Sequence, residues 1–134
     1  MKILIVDDDP TARAILAKIV GALVDQQTTT ACDGVAAWQL LDDPARSFDL
    51  VFLDLSMPEL DGYSLLRRLR QSPMLKSTEV VVCTAANDRE SVLKAIQLGA
   101  RHYLVKPCNA AVVLAKICQI FPHVALQDPV TPAT

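Results

Sequence analysis

The apolar residues of this chain fall into short runs that alternate with longer segments in which apolar residues recur at helical spacing. Five runs have the length and the aliphatic or β-branched composition of strands. The predicted strands are Lys2–Val6, Gln27–Ala31, 49–54, 79–84 and 102–105. The predicted helices between and after them are 10–24, 35–41, 63–71, 87–99 and 110–120.

Polar residues mark where several of these helices begin. Asp9 precedes Pro10, and Asp can accept hydrogen bonds from free backbone N–H groups while Pro fits the first helical position. Asn109 is placed to cap the last helix in the same way, and residues 87–90 resemble a capping box. Capping of the first helix gives Asp9, the third residue of the acidic triplet 7–9, a structural role.

Regular alternation of strands and helices, joined by short connections, predicts an α/β domain. Its sheet should be parallel, with right-handed crossovers and helices on both faces. The run 49–54 is apolar at almost every position, which is typical of a strand buried on both faces. Asp54 ends this run, and a carboxylate there requires a cation or hydrogen bonds.

Composition restricts the class of protein further. The chain has 134 residues and a formal net charge of -2, which suits one globular domain and argues against a general nucleic-acid binder. No apolar run is long enough to predict a membrane span. The four cysteines are scattered without a C-x-x-C pair, so neither a zinc site nor a redox motif is predicted, and a cytoplasmic location is expected.

The polar residues at the strand ends should meet. In a doubly wound sheet the ligand site lies beyond the carboxyl ends of the strands, where the winding direction reverses. Asp7 and Asp8 end the first strand, Asp54 the third and Thr84 the fourth, while Lys106 follows the fifth. The predicted fold therefore brings these five residues to one rim.

Three carboxylates at one rim repel one another unless a cation neutralises them. Magnesium (Mg2+) prefers oxygen ligands and often uses only one or two protein carboxylates, which suits this sparse cluster. A salt bridge from Lys106 to Asp7 and Asp8 is the structural alternative, although one ammonium would face three acids. We expect a Mg2+ site.

These residues resemble the receiver domain of two-component response regulators, and the resemblance covers Lys2 to about Phe121. It rests on short motifs in order and at suitable spacing. The motifs are Ile5-Val6-Asp7-Asp8, Leu53-Asp54, Met57-Pro58, Asp61-Gly62, Thr84-Ala85, Gly99-Ala100 and Tyr103-Leu104-Val105-Lys106-Pro107.

The resemblance implies a flavodoxin-like, doubly wound (βα)5 three-layer sandwich with a parallel five-stranded sheet of order 2-1-3-4-5. It implies a receiver domain over residues 1–121, followed by a tail or the start of a linker over 122–134. A 134-residue sequence is compatible with a stand-alone regulator and with a piece of a longer one.

The resemblance also implies roles for individual residues. Asp54 is the expected phosphoacceptor, and Lys106 and Thr84 are expected to contact the phosphoryl oxygens. Asp8, Asp54 and the backbone carbonyl of Ser56 are expected to bind Mg2+ directly, while Asp7 acts mainly through water. Lys106-Pro107 is expected to be a cis peptide.

Signalling in this family implies a switch and partners. Thr84 and Tyr103 are the expected switch residues, with core packing as the alternative role for Tyr103. The resemblance implies a histidine kinase or phosphotransfer protein as donor and a downstream partner or output domain. The surface around the fourth helix, fifth strand and fifth helix is expected to change. A phosphorylation-dependent homodimer is a further expectation, whereas direct nucleic-acid or membrane binding is not expected.

Three other functions compete with this interpretation. A haloacid-dehalogenase-like phosphatase also uses an aspartate after a strand, but it needs a second aspartate where this chain has Ser56. A flavodoxin-like cofactor binder would cradle phosphate in its first loop, and the acidic triplet would repel phosphate. A non-phosphorylated receiver used as a binding module is the third, although all the switch residues are present.

Overall fold

The computed structural model describes residues 1–55, 62–85 and 89–126. Within this part of the chain, five strands alternate with five α-helices. The strands are β1 (Lys2–Val6), β2 (Gln27–Ala31), β3 (Leu50–Asp54), β4 (Glu79–Ala85) and β5 (His102–Lys106). The helices are α1 (Pro10–Val20), α2 (Gly34–Leu41), α3 (Gly62–Gln71), α4 (Arg89–Gln97) and α5 (Ala110–Ile120).

The strands form one parallel sheet in the order β2-β1-β3-β4-β5. This confirms the predicted doubly wound topology, in which the chain starts near the middle and winds outwards in both directions. The central strand β3 is buried along its whole length, as its continuous apolar sequence predicts. The carboxyl ends of β1 and β3 are neighbours at the reversal point.

Apolar side chains pack on both faces of the sheet, which makes the fold a three-layer sandwich. Along β3, Leu50 and Phe52 pack with residues of α1 and α5, whereas Val51 and Leu53 pack with residues of α2 and α3. This alternation follows from the two-residue period of a strand. Because both faces are covered, the exposed rim formed by the strand ends is left for polar groups.

The predicted caps are present where the structure describes them. The Asp9 carboxylate accepts a hydrogen bond from Thr11 N at 2.9 Å, and the Asn109 side chain accepts one from Val112 N at 2.9 Å. Asp33 caps α2 by accepting from Ala36 N at 2.7 Å. The capping-box residues 87 and 88 lie outside the described residues.

The first helix ends earlier than its sequence predicts, at Val20 instead of near residue 24. Gly21 follows as the C-cap, and Asp25 then adopts a left-handed backbone with φ of 57°. Leu23 is buried and forms an isolated antiparallel bridge with Leu126. The apolar residue Leu23 therefore contacts a segment that is distant in sequence. Helical periodicity cannot distinguish such a contact from another turn of helix.

The described part of the carboxyl-terminal segment, residues 122–126, packs against the domain. Val24 donates its backbone N–H to the carbonyl of Ala125 at 2.9 Å, next to the Leu23–Leu126 bridge. Residues 127–134 lie outside the described residues. Among the described residues, no helix combines the length and the apolar character needed to cross a bilayer.

Candidate functional site

Two aspartates lie side by side where β1 and β3 end. Val6 is paired with Leu53 in the sheet, so Asp7 and Asp54 follow at equivalent positions of neighbouring strands. Both side chains are buried, with 5% of each residue exposed. A carboxylate this deeply buried is stable only when charged or hydrogen-bonding groups surround it.

The backbone and two cations hold Asp7 in place. One of its carboxylate oxygens accepts a hydrogen bond from the backbone N–H of Asp9 at 2.9 Å, and the other accepts from Lys106 Nζ at 3.0 Å. Its backbone carbonyl accepts from the Arg13 guanidinium at 2.8 Å. Asp7 is therefore oriented from the first turn of α1 as well as from β5.

Lys106 connects the two buried carboxylates. Its Nζ lies 3.0 Å from Asp7 Oδ2 and 3.4 Å from Asp54 Oδ2. Burial by itself lowers the pKa of Lys106, but the hydrogen bond to Asp7 and the charges of Asp54 and Asp7 outweigh it and raise the pKa above its ordinary value. Lys106 is therefore a charged donor at neutral pH, directed at Asp54. The Lys106–Pro107 peptide bond is cis, as expected.

A third carboxylate completes an acidic cluster. Asp7, Asp8 and Asp54 each offer an oxygen, and these three oxygens lie within 4.8 Å of one another. Asp8 is exposed, whereas the other two are buried. Among the three carboxylates and Lys106, negative charge exceeds positive charge, so the salt-bridge alternative accounts for only part of the cluster. Closely spaced oxygen donors with excess negative charge suit a hard divalent cation.

Thr84 is the last residue but one of β4, at the same end of the sheet as Asp54. Cys83, the preceding residue, is paired with Asp54, and Thr84 itself is paired with Val105, which precedes Lys106. Thr84 is 4% exposed, so its side chain is buried at this end of the sheet. The sheet register thus places a hydroxyl residue between the strand of Asp54 and the strand of Lys106.

Tyr103 is far more exposed than Thr84. It lies on β5, in register with Val82, and 47% of the residue is accessible to solvent. The alternative that Tyr103 packs in the core therefore does not hold for this structure. Of the other predicted site residues, Ser56 lies outside the described residues, together with 57, 58 and 61.

Gly62 is required by the close approach of α3 to β3. A Cβ atom at this position would lie 2.6 Å from Leu55 Cα and still closer to the Asp54 carbonyl oxygen. Asp61-Gly62 is one of the motifs that carry the family resemblance, and the structure gives the steric reason for its glycine. The atoms that this Cβ would meet belong to the backbone, which cannot move aside as a flexible side chain can.

We predict that Gly62→Ala destabilises the fold by about 1–3 kcal/mol, because the added methyl group meets backbone on two sides. Denaturant unfolding measures this change. Gly21→Ala is the matched control, because Gly21 has an ordinary φ of -61° and a Cβ there would approach no described atom closer than 3.2 Å. Equal stabilities of the two variants would contradict the steric explanation.

Sequence reasoning did not identify Arg13 as part of the site. An arginine in the first turns of a helix is usually solvated, and nothing in its spacing shows that the side chain turns back to the Asp7 carbonyl. Sequence reasoning also assigned no role to Cys83 and Cys108, which line one cavity together with Lys106. Only the register of β4 against β5 reveals that arrangement.

Comparison with known proteins agrees with this geometry. The model of the response regulator receiver domain family matches residues 3–118. Chemotaxis protein CheY-3 of Vibrio cholerae is 39% identical over 121 residues, which are 90% of this chain and 92% of that protein. Chemotaxis protein CheY of Pseudomonas aeruginosa is 39% identical over 124 residues, covering 92% and 98% of the two chains.

Solved structures show the same fold. A putative response regulator from Chloroflexus aurantiacus superposes with a TM-score of 0.83 at 28% identity, over 91% of this chain and 98% of that one. The family match, the sequence relatives and the shared fold agree with the acidic rim built by β1, β3, β4 and β5. The chain belongs to the response regulator receiver domain family, the phosphoacceptor signalling switches of two-component systems.

Proposed function

We propose that Asp54 accepts a phosphoryl group from the phosphohistidine of a histidine kinase or phosphotransfer protein, in a Mg2+-dependent reaction that the receiver itself promotes. The observation that carries this proposal is the position of Asp54. Its buried carboxylate ends the central strand, 3.4 Å from the Lys106 ammonium and within 4.8 Å of the oxygens of Asp7 and Asp8. The rim thus combines a nucleophile with charged groups that stabilise phosphate.

The chemistry follows from these groups. An oxygen of Asp54 forms a bond to phosphorus while the phosphorus–nitrogen bond of the donor histidine breaks, and the imidazole leaves with the electron pair. The product is an acyl phosphate. Lys106 contributes an ammonium and Thr84 a hydroxyl to the transferred oxygens. Such transfer depends mainly on positioning and on charge stabilisation.

Mg2+ fits the donor set. Asp8, Asp54 and the backbone carbonyl of Ser56 would hold the ion directly, with Asp7 reaching it through water. When bound, the ion supplies positive charge against the phosphoryl oxygens. Asp7 is already engaged by Asp9 N and Lys106, which supports an indirect role, whereas Asp8 is exposed and accessible to an incoming ion.

Mg2+ should stabilise the fold through this cluster. At ten times its dissociation constant, an ion that binds only the native state should add roughly 1.4 kcal/mol to the free energy of unfolding. Thermal melting with and without Mg2+ measures the gain. Asp8→Ala should lose most of it, whereas Asp42→Ala, which removes an exposed carboxylate at the end of α2, should keep it. A gain of equal size in all three proteins would contradict the assignment.

The direct test of phosphoryl transfer is the intact mass of the protein after incubation with acetyl phosphate. We expect the mass of one phosphoryl group to be added in the presence of Mg2+ and none in the presence of a chelator. Labelling that does not depend on Mg2+, or no labelling in fully folded protein, would contradict the proposal.

The switch is proposed to pass from Thr84 to Tyr103 and then to the surface of α4, β5 and α5. Phosphorylation adds about -1.5 to -2 charge at Asp54, which can draw the Thr84 hydroxyl inward. Large apolar side chains are exposed on all three elements. They are Leu93, Ile96, Tyr103, Val105 and Val112. This surface is the proposed contact for a downstream partner, an output domain or a second phosphorylated copy.

The remaining proposals concern the cellular location of the protein, the bounds of its domain and its partners. All four cysteines are free, which supports placement in a reducing compartment such as the cytoplasm. We propose residues 1–121 as the receiver domain and residues 122–134 as a tail or the start of a linker. The proposed partners are proteins, and neither nucleic acid nor membrane is proposed to bind this domain.

A further inference from the structure

Two thiols line a cavity beside the proposed phosphorylation site. The cavity has a volume of about 380 Å3 and opens between α1 and the segment that follows β5. Lys106, Cys83 and Cys108 line it, together with Ile15 and Leu16 of α1. Cys83 is buried, whereas Cys108 is half-buried, so a small molecule that enters the cavity meets Cys108 beside a second thiol.

The fold holds these two cysteines together. Cys83 lies on β4 in register with Leu104, and Cys108 follows four residues later, after the chain leaves β5. Both cysteines pack in the cluster between the sheet and helices α1 and α5, and both line the same cavity. Lys106 is located between them in sequence and lines the same cavity.

The surroundings favour the thiolate of Cys108. The interaction with Cys83 lowers the pKa of Cys108, partial burial and the charge of Asp7 oppose this effect, and the Lys106 charge lowers the pKa, which lies at about 7. The interaction with Cys108 and burial raise the pKa of Cys83 well above its ordinary value. Cys108 is thus the more acidic of the two thiols, and the thiolate is the form that reacts with oxidants.

We infer that Cys108 and Cys83 form a reversible, peroxide-sensitive dithiol site, in which Cys108 is the thiol that reacts with the oxidant first and Cys83 is the thiol that closes a disulfide. The structure places no other cysteine side chain, among the residues it describes, against this cavity.

The proposed reaction has two steps. The Cys108 thiolate attacks one oxygen of hydrogen peroxide, the O–O bond breaks, and hydroxide leaves while Cys108 becomes a sulfenic acid. The Cys83 sulfur then displaces the hydroxyl group, which leaves as water with the thiol proton, and the S–S bond forms. Two electrons pass from the thiol pair to the peroxide. A small dithiol reverses the change by thiol–disulfide exchange.

The disulfide would affect phosphoryl acceptance, a consequence that rests on the function proposed above. It would join β4 next to Thr84 with the segment that follows Lys106, and so restrict both phosphate-contacting residues. Because phosphoryl transfer depends on accurate placement of these groups, we expect oxidation to slow labelling of Asp54 about tenfold or more. Reduction should restore the original rate.

The test begins with the reduced 134-residue protein and hydrogen peroxide. The expected product has lost the mass of two hydrogen atoms, and proteolysis yields one peptide pair joined through Cys83 and Cys108. Cys108→Ser should abolish this loss, whereas Cys32→Ser and Cys118→Ser should retain it. Cys32 is the stringent control, because it is exposed and would react first if access alone determined oxidation.

Labelling with acetyl phosphate and Mg2+ is then compared for reduced, oxidised and re-reduced protein. The inference is supported if labelling is slower only in the oxidised protein, and if treatment with peroxide does not slow the labelling of Cys108→Ser. Disulfides that involve Cys32 or Cys118, or an unchanged labelling rate with the Cys83–Cys108 bond formed, would overturn it. No labelling of the reduced protein would refute the proposed function instead, since disulfide formation is measured separately.

Discussion

Asp54→Asn is expected to remove all phosphoryl labelling of the protein. The amide keeps the size of the side chain but is not a nucleophile towards phosphorus, so the fold should persist while the acceptor is lost. It also removes one charge from the cluster of Asp7, Asp8 and Asp54. The variant should therefore remain folded and bind Mg2+ more weakly.

Asp49→Asn is the matched control for this change. Asp49 precedes the opposite end of the same strand, where its carboxylate accepts a hydrogen bond from the backbone of Lys2 at 2.8 Å. It lies away from the rim of Asp7 and Lys106. Intact-mass spectra should show full labelling of Asp49→Asn and none of Asp54→Asn. Labelling of Asp54→Asn to the wild-type extent would place the acceptor elsewhere.

Lys106→Met is expected to reduce the rate of labelling by about 100-fold, the usual order for loss of one charged donor to a developing anion. The ammonium lies 3.0 Å from Asp7 and 3.4 Å from Asp54, and methionine retains the length of the side chain without its charge. Loss of the ammonium leaves more uncompensated negative charge in the acidic cluster. Stabilisation by Mg2+ should therefore increase while phosphoryl transfer slows.

Lys18→Met is the matched control, because Lys18 is exposed in the last turn of α1. Its labelling rate should equal that of the wild type. The measurement is the initial rate of mass gain at saturating Mg2+, which separates the role of Lys106 in transfer from its effect on metal binding. Equal rates for Lys106→Met and the wild type would exclude Lys106 from the chemistry.

Much of the fold was predictable because its signals are local. The continuous apolar run that ends at Asp54 requires a strand buried on both faces, and β3 is buried throughout. The caps Asp9 and Asn109 act through backbone groups two or three residues away. Strand order and the shared rim then follow from the way parallel sheets are wound.

The features that the sequence did not predict depend on contacts between segments that are distant in sequence. The chain leaves α1 at Val20, and residues 23–24 then pair with residues 125–126. The interaction of Cys83 with Cys108 depends on the register of β4 against β5 and on the path of the chain after Lys106. No short motif encodes either contact, so neither was visible in the sequence.

The central claim is that the Asp54 side chain carries the phosphoryl group as an acyl phosphate. Borohydride reduction after labelling tests it most directly, because it cleaves an acyl phosphate and converts the modified aspartate to homoserine. Peptide mass spectrometry should find homoserine at position 54 in labelled protein and nowhere else, and only when Mg2+ was present. Homoserine at position 7 or 8, or a borohydride-resistant phosphate, would contradict the account.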